Sequence, residues 1–171
     1  TLHVAAGAYP ETVQLNRPAT LAMEGDASLI ALEITDGVFV APTGTLTLSG
    51  GISRTAGIFN PNGGTVELNG SDAQLLSGTL TFDNLTVNNL ATPADDAHAV
   101  TSDAVVTVRA LLDVTDGQFM PACGSDFNTI LVDAQGIFKP FACPTGITVS
   151  GNWTNNGTFT ENGALVRFDG N

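Results

Sequence analysis

Residues 57–70 read "GIFNPNGGTVELNG", and residues 157–170 read "GTFTENGALVRFDG". Gly57, Phe59, Asn62, Gly63, Val66 and Gly70 match Gly157, Phe159, Asn162, Gly163, Val166 and Gly170 without a gap, at a constant offset of 100 residues. Such an echo is a duplicated domain, a catalytic signature, or one beat of a shorter rhythm. Its core decides between them. Gly-x-Phe occurs at 37, 57, 117, 136 and 157, with spacings of 20, 60, 19 and 21. "GTL" at Gly78, with Leu80 in place of Phe, divides the gap of 60, and a degenerate beat near Ala97–Ala99 divides it again. The underlying period is about 20 residues, within the range of solenoid repeats.

Around each beat the chemistry recurs. The residue before the glycine is Asp36, Ala56, Ser77, Asp116, Gln135 or Asn156, mostly turn-prone types. Asp-Gly and Asn-Gly allow the positive φ of a sharp corner. Short alternating runs follow: "TLTLSG" (45–50), "TVELNG" (65–70), "TLTF" (79–82), "VVTV" (105–108) and "ITVSG" (147–151). Alternation places apolar side chains on one side of a strand and Thr, Glu or Arg on the other. Gly, Pro and Thr interrupt every candidate helix. The expected fold is therefore all-β: a single-stranded parallel β-helix, or β-solenoid, of about 20 residues per coil and about eight coils over residues 1–171. Stacking at about 4.8 Å per coil gives a rod roughly 40 Å long. Gly37, Phe39, Gly57, Phe59, Gly78, Leu80, Gly117, Phe119, Gly136, Phe138, Gly157 and Phe159 are its expected corner and core positions. Residues 90–104, "LATPADDAHAVTSDA", break the pattern and are expected to protrude as a loop. An antiparallel sandwich also has short alternating strands, but it requires neither the period nor the repeated corner.

Composition narrows the function. The 171 residues carry 17 Asp plus Glu against 5 Lys plus Arg, a formal charge of −12, and Lys139 is the only lysine. Phosphate backbones and anionic membranes need a cationic footprint, which argues against a nucleic-acid or membrane-surface partner. No apolar run approaches the roughly 18 residues of a membrane span, so no membrane insertion is expected. The sequence begins at Thr1 without an initiator Met or signal peptide, as expected of a processed chain or a fragment.

The run "TLHVAAGAYPETVQLNRPATLAMEG" (1–25), with Pro18, Ala19, Thr20 and Leu21, resembles the opening coils of pectin-lyase-like right-handed parallel β-helices. The segments 63–89 and 150–170 look like repeats of secreted bacterial surface and adhesin-like proteins. The resemblance implies an extracellular, cell-surface location. It implies no particular activity, because the fold hosts enzymes, adhesins and inert stalks alike.

Cys123 and Cys143, in "PACG" and "FACP", are 20 residues apart, one period. Equivalent points on adjacent coils lie about 5 Å apart, within disulfide range. A structural disulfide is expected, in keeping with an oxidising compartment; two stacked thiols are the alternative. Enzymes of the resembling family hold calcium with clustered Asp, use Arg or Lys as base, or pair several Asp for acid and base. Asp36 and Asp116 share a corner type but lie four coils apart, roughly 19 Å. Asp113 and Asp133 fall on neighbouring coils, with Arg109 the nearest cation in sequence. These three are the ligand candidates of a carbohydrate-active reading; solvated turn acids are the plainer one. Asp95, Asp96, His98 and Asp103 form an irregular polar cluster; Asp95, Asp96 and Asp103 are weak candidates for Ca²⁺ through their oxygens, without EF-hand spacing, and a mobile solvated loop is the plainer reading. His3 and His98 are the only histidines, too few to argue a Ser-His-Asp arrangement.

Three further patterns bear on surface recognition. "TLT" at 45–47 and 79–81 and "TFT" at 158–160 start at +8, +1 and +1 from the corner glycine, so no regular ice-binding row is expected. Asn69, Asn84, Asn152 and Asn156 open glycan-acceptor sequons, though all four also suit turns and strands. Trp153, the sole tryptophan, reads either as a sugar platform or as a packed face residue.

A stacked β-rod has unpaired strands at each end. No capping helix is evident, and "LVRFDGN" stops where the earlier copy runs on into "SDAQLLSGTLTF". The expectation is a longer chain or end-to-end pairing with another copy, a heterologous contact. The first functional reading is a non-catalytic extracellular module: a stalk, surface rod or filament subunit, self-associating or touching cell-surface glycans, with no cofactor. The alternative is a carbohydrate-binding or polysaccharide-degrading β-helix.

Overall fold

The computed structural model describes residues 1–92 and 94–170. β1 (Leu2–Val4) and β2 (Gly7–Leu15) make the first coil, β3 (Thr20–Met23) and β4 (Ala27–Ile34) the second. β5 (Val38–Val40), β6 (Thr45–Leu48) and β7 (Ile52–Arg54) make the third, then β8 (Ile58–Asn60), β9 (Thr65–Leu68) and β10 (Gln74–Ser77) the fourth. β11 (Leu80–Asn88) and β12 (Val100–Ser102) form the fifth. β13 (Val106–Met120) is the whole sixth coil and β14 (Asp126–Phe138) the seventh. β15 (Ile147–Val149), β16 (Trp153–Asn155) and β17 (Thr158–Phe159) form the eighth, and β18 (Val166–Phe168) opens a further turn.

All the strand pairings are parallel and join neighbouring coils, which makes the all-β solenoid of about eight coils. Each coil has three faces. Where one strand runs round a corner the register shifts, as between Phe82 and Asn84 or Val108 and Leu111. Such a bulge bends the strand without ending it.

Inward side chains stack in columns. On the first face the ladder joins Leu2, Leu21, Phe39 and Phe59. Phe59 then meets Phe82 edge-on at 5.5 Å, and the ladder resumes through Val108, Phe127, Val149 and Phe168. The second face stacks Ala27, Leu46, Val66, Leu85, Leu112, Ile130 and Trp153. The third face stacks Gln74, Val100, Phe119, Phe138 and Phe159. Phe39, Phe82, Phe119, Phe127 and Phe138 are fully buried. Each such side chain contributes about 1.5–3 kcal/mol, and no single coil buries it alone.

The repeated motif does not keep one place in this frame. Phe39 and Phe59 belong to the first face, whereas Phe119, Phe138 and Phe159 belong to the third. Leu80, fully buried, lies on the first face opposite Val106. The 100-residue echo therefore joins two different faces. Insertions cause the drift. Partners are 20 residues apart at Phe39 and Phe59, but Leu85 pairs with Leu112, 27 residues on. No beat divides the stretch between Gly78 and Gly117 near Ala97–Ala99. The fifth coil instead carries an insertion at 89–99, shorter than the expected 90–104, because Val100–Ser102 returns to the stack as β12.

The corner glycines serve two ends. Gly37, Gly57, Gly78 and Gly117 have φ between 64° and 82°, the left-handed region. Gly136 and Gly157 do not; there a Cβ would collide with the carbonyls of Val114 and Asp133 in the neighbouring coil.

Where the insertion leaves the stack, buried amides replace apolar packing. The Asn89 side chain, fully buried, donates to Asp72 O (2.8 Å) and to Gln74 Oε1 (3.0 Å). Gln74 Nε2 donates to Leu48 O (3.0 Å) and Gly50 O (2.7 Å), and the Gly70 N–H donates to Gln74 Oε1 (3.1 Å). Backbone groups at two successive corners, 48–50 and 70–72, are satisfied this way, as buried polar groups must be.

Candidate functional sites

Cys123 and Cys143 form a disulfide across the sixth and seventh coils, with Cα atoms 5.6 Å apart. Cys123 is exposed and Cys143 buried, so the bond ties a surface turn to the edge of the core.

Most polar side chains in question serve the scaffold. Asp36 and Asp116 each accept the N–H of the glycine that follows, at 2.6 and 2.7 Å. They occupy different corners: Asp36 precedes the first face and Asp116 the third. Asp26 accepts the Thr45 N–H (2.8 Å), and Asp83 accepts the Gly63 N–H (2.6 Å), each on a neighbouring coil. Asp103 accepts the Ser77 hydroxyl (2.7 Å) and the Gly78 N–H (2.9 Å). Those bonds favour its ionised form and hold its carboxyl below the usual range. Asp26, Asp83 and Asp103 therefore stitch one coil to the next, while Asp36 and Asp116 brace their own corners.

The cluster at 95–103 does not converge. Asp95 accepts from His98 Nδ1 (2.7 Å) and from the Ala97 and His98 N–H groups, closing its own turn. The bond from His98 lowers its pKa. Asp96 takes the Lys139 ammonium at 2.6 and 2.8 Å and the Gln118 amide at 2.7 Å, and the Lys139 bond lowers its pKa. Asp103 is committed elsewhere. Among the described residues no three His, Cys, Asp or Glu side chains gather as metal ligands.

Asp113 and Asp133 do lie on neighbouring coils, β13 and β14, at the second face. Asp113 stands outward in register between Thr86 and Leu131, and Asp133 follows two residues after Leu131. Burial, then the charge of Asp133, pushes the Asp113 carboxyl above the ordinary range, and its Oδ1 is buried without a hydrogen-bond partner. Arg109 does not join them: it pairs with Asp83 at 3.6 Å. Sequence spacing predicted the Asp113–Asp133 proximity.

Outward threonines do not form a continuous row. On the second face, Thr47, Glu67, Thr86, Asp113, Leu131 and Thr154 follow one another in register. Glu67 accepts from Asn88 (2.9 Å), so the row is a mixed polar ribbon. Of the sequons, Asn84 donates its amide to Gly64 O (3.3 Å), whereas Asn152 and Asn156 are exposed.

Trp153 packs against Phe138, Phe159 and Phe168 with ring centroids 5.0–5.9 Å apart. With Gly151, Asn155 and Val166 it lines an open hollow of ≈ 550 Å³ at one end of the stack. Phe168 is 64 % exposed there. Trp153 is thus the packed face residue that its repeat context suggested, and it also lies on the rim of the hollow.

Compared with protein-family models, with curated proteins and with solved structures, the chain matches none.

Proposed function

We propose that the protein is a non-catalytic structural or adhesive β-solenoid module: a rod that spaces or displays, of the kind found on secreted bacterial surface proteins. The observation that carries this reading is the commitment of its few cations. Lys139 is held by Asp96, Arg109 by Asp83, and Arg54 donates to Thr79 O and Gly57 O across a corner. Three of the five basic side chains thus brace the scaffold. Most corner carboxylates cap backbone N–H groups. A chain that spends its charges this way has little left for acid–base work, while coil-on-coil stacking gives the stiffness a rod needs. The disulfide favours an oxidising compartment, hence secretion to the cell surface. The pectin-lyase-like resemblance of residues 1–25 belongs to this proposal as a likeness of architecture.

The hollow lined by Trp153, Phe159 and Phe168 has the cross-section that a further coil would cover, from a second copy or from further residues of a longer chain. Electron microscopy and sedimentation over a concentration series test the self-associating form. Growing linear particles support it; concentration-independent monomers rule it out.

One observation favours a second reading. Asp113 keeps a buried, unpartnered oxygen beside Asp133, a pair that a polysaccharide-binding or polysaccharide-cleaving surface could use. Incubation with polygalacturonate and Ca²⁺, read by appearance of unsaturated or reducing ends, decides between them. The rod reading expects no turnover. Turnover lost in Asp113→Asn and Asp133→Asn would replace it.

A further inference from the structure

Residues 94–99 leave the solenoid and lie back against it, and the latch is ionic. Asp96 reaches Lys139 in the seventh coil, 43 residues away, and Gln118 in the sixth. What lies beneath is decided by alternation. Phe119 is an inward column residue with no exposure, so its neighbours Gln118 and Met120 point outward. Outward residues of the third face are open elsewhere: Leu75, two coils below Met120 in the same register, is 47 % exposed. Yet Gln118 and Met120 are each only 5 % exposed. Met120 is buried without belonging to the main apolar core, and the same holds for Ala91 and Ala99, which flank the insertion. All three are thus buried outside the main column, Met120 in the outward register and the two alanines at the ends of the insertion.

We propose that residues 94–99 are a latched cover over the third face of the sixth coil, and that release of the Asp96–Lys139 pair bares Met120. The segment is preshaped for this, because Asp95 closes its turn through Ala97 and His98. The latch is weak by construction. Its side chains are 21 % and 60 % exposed, and such pairs shift an equilibrium by only about two- to five-fold. Salt screens them further. Opening exposes a thioether and a primary amide, a neutral patch on an acidic rod.

The chain has two methionines, and they supply the test. Met23, also 5 % exposed, sits in the main core, so it reports loosening of the coils. Met120 reports the cover. Hydrogen peroxide transfers one oxygen atom to an accessible thioether, giving the sulfoxide and water. Oxidation of each methionine is followed by peptide mass in the full chain, for wild type, Asp96→Asn, Lys139→Gln and the double variant. Met120 oxidation should rise about two- to five-fold in either single variant and no further in the double. In wild type it should rise with ionic strength, and in the variants it should not. Met23 should stay constant throughout. A Met120 rate indifferent to both substitutions overturns the proposal. So does a rise shared with Met23, or full additivity in the double variant.

Discussion

Cys123 and Cys143 stand one above the other on successive coils, closing a loop whose ends are 20 residues apart in sequence. In the chain-entropy description, a cross-link over a loop of this length stabilises by about 3 kcal/mol. Replacing both cysteines by serine should cost about 2–4 kcal/mol, read from urea unfolding. The fold should survive, because Phe119, Phe127 and Phe138 pack in both coils independently of the bond. Retained far-ultraviolet circular dichroism would check that.

Core aromatics should divide sharply by depth in the stack. Phe138, fully buried, touches Phe119, Phe127, Trp153 and Phe159. Phe138→Ala should cost about 3–5 kcal/mol. Phe168→Ala, at a position 64 % exposed, should cost about 0.5 kcal/mol or less in the same measurement. Equal costs would mean that the column does not behave as a packed interior.

Corner glycines offer a graded test. Gly63 and Gly117 both have positive φ, 79° and 75°. A Cβ at Gly63 meets nothing within 4 Å, whereas at Gly117 it runs into the Asn89 backbone and side chain. Gly63→Ala should cost about 1 kcal/mol, the left-handed penalty alone. Gly117→Ala should cost more, about 2–3 kcal/mol, because Asn89 anchors the buried amide network. Thermal unfolding of the two variants distinguishes these values.

Asp113 sets the sign of one pH effect. Its folded pKa is raised, by burial and then by Asp133, so the folded state binds this proton more tightly than the unfolded state does. Its contribution is most favourable below the ordinary carboxylate range and is lost as pH rises through the folded value. Asp113→Asn should therefore be more stable than wild type at neutral pH, with the difference shrinking in acid. Asp103 acts oppositely: its lowered pKa stabilises above the ordinary range, and that contribution fades as pH falls. Urea midpoints at neutral and acidic pH, for Asp113→Asn against wild type, isolate the first effect.

The solenoid was legible because its cause is local. A strand alternates, a corner needs Gly or Asp, and an apolar side must stack; residues 57–70 carry all three signals. The Cys123–Cys143 pairing was legible because that stretch of coil has near-regular length. What the spacing could not supply was the face on which a motif lands. Phe59 and Phe159 share a context, but the insertion at 89–99 moves the later motif from the first face to the third. Arg109 shows the same limit. Its sequence neighbourhood suggested Asp113, while the register placed it beside Asp83 of the coil below. The polar bonds of Gln74 and Asn89 were invisible because nothing in either residue announces burial.

The two cross-coil ties have a mechanical corollary. A stacked rod pulled along its axis would shed coils from its ends, since each coil is held only by its neighbours. Cys123–Cys143 spans the sixth and seventh coils, and Asp96–Lys139 links the insertion of the fifth to the seventh. Peeling from the first coil would pass the salt-sensitive pair with little added resistance, and peeling from either end would stall at the covalent one. The rod would extend under load like a rope with a splice in it, giving way in steps on both sides and leaving the two disulfide-joined coils as the last element to part.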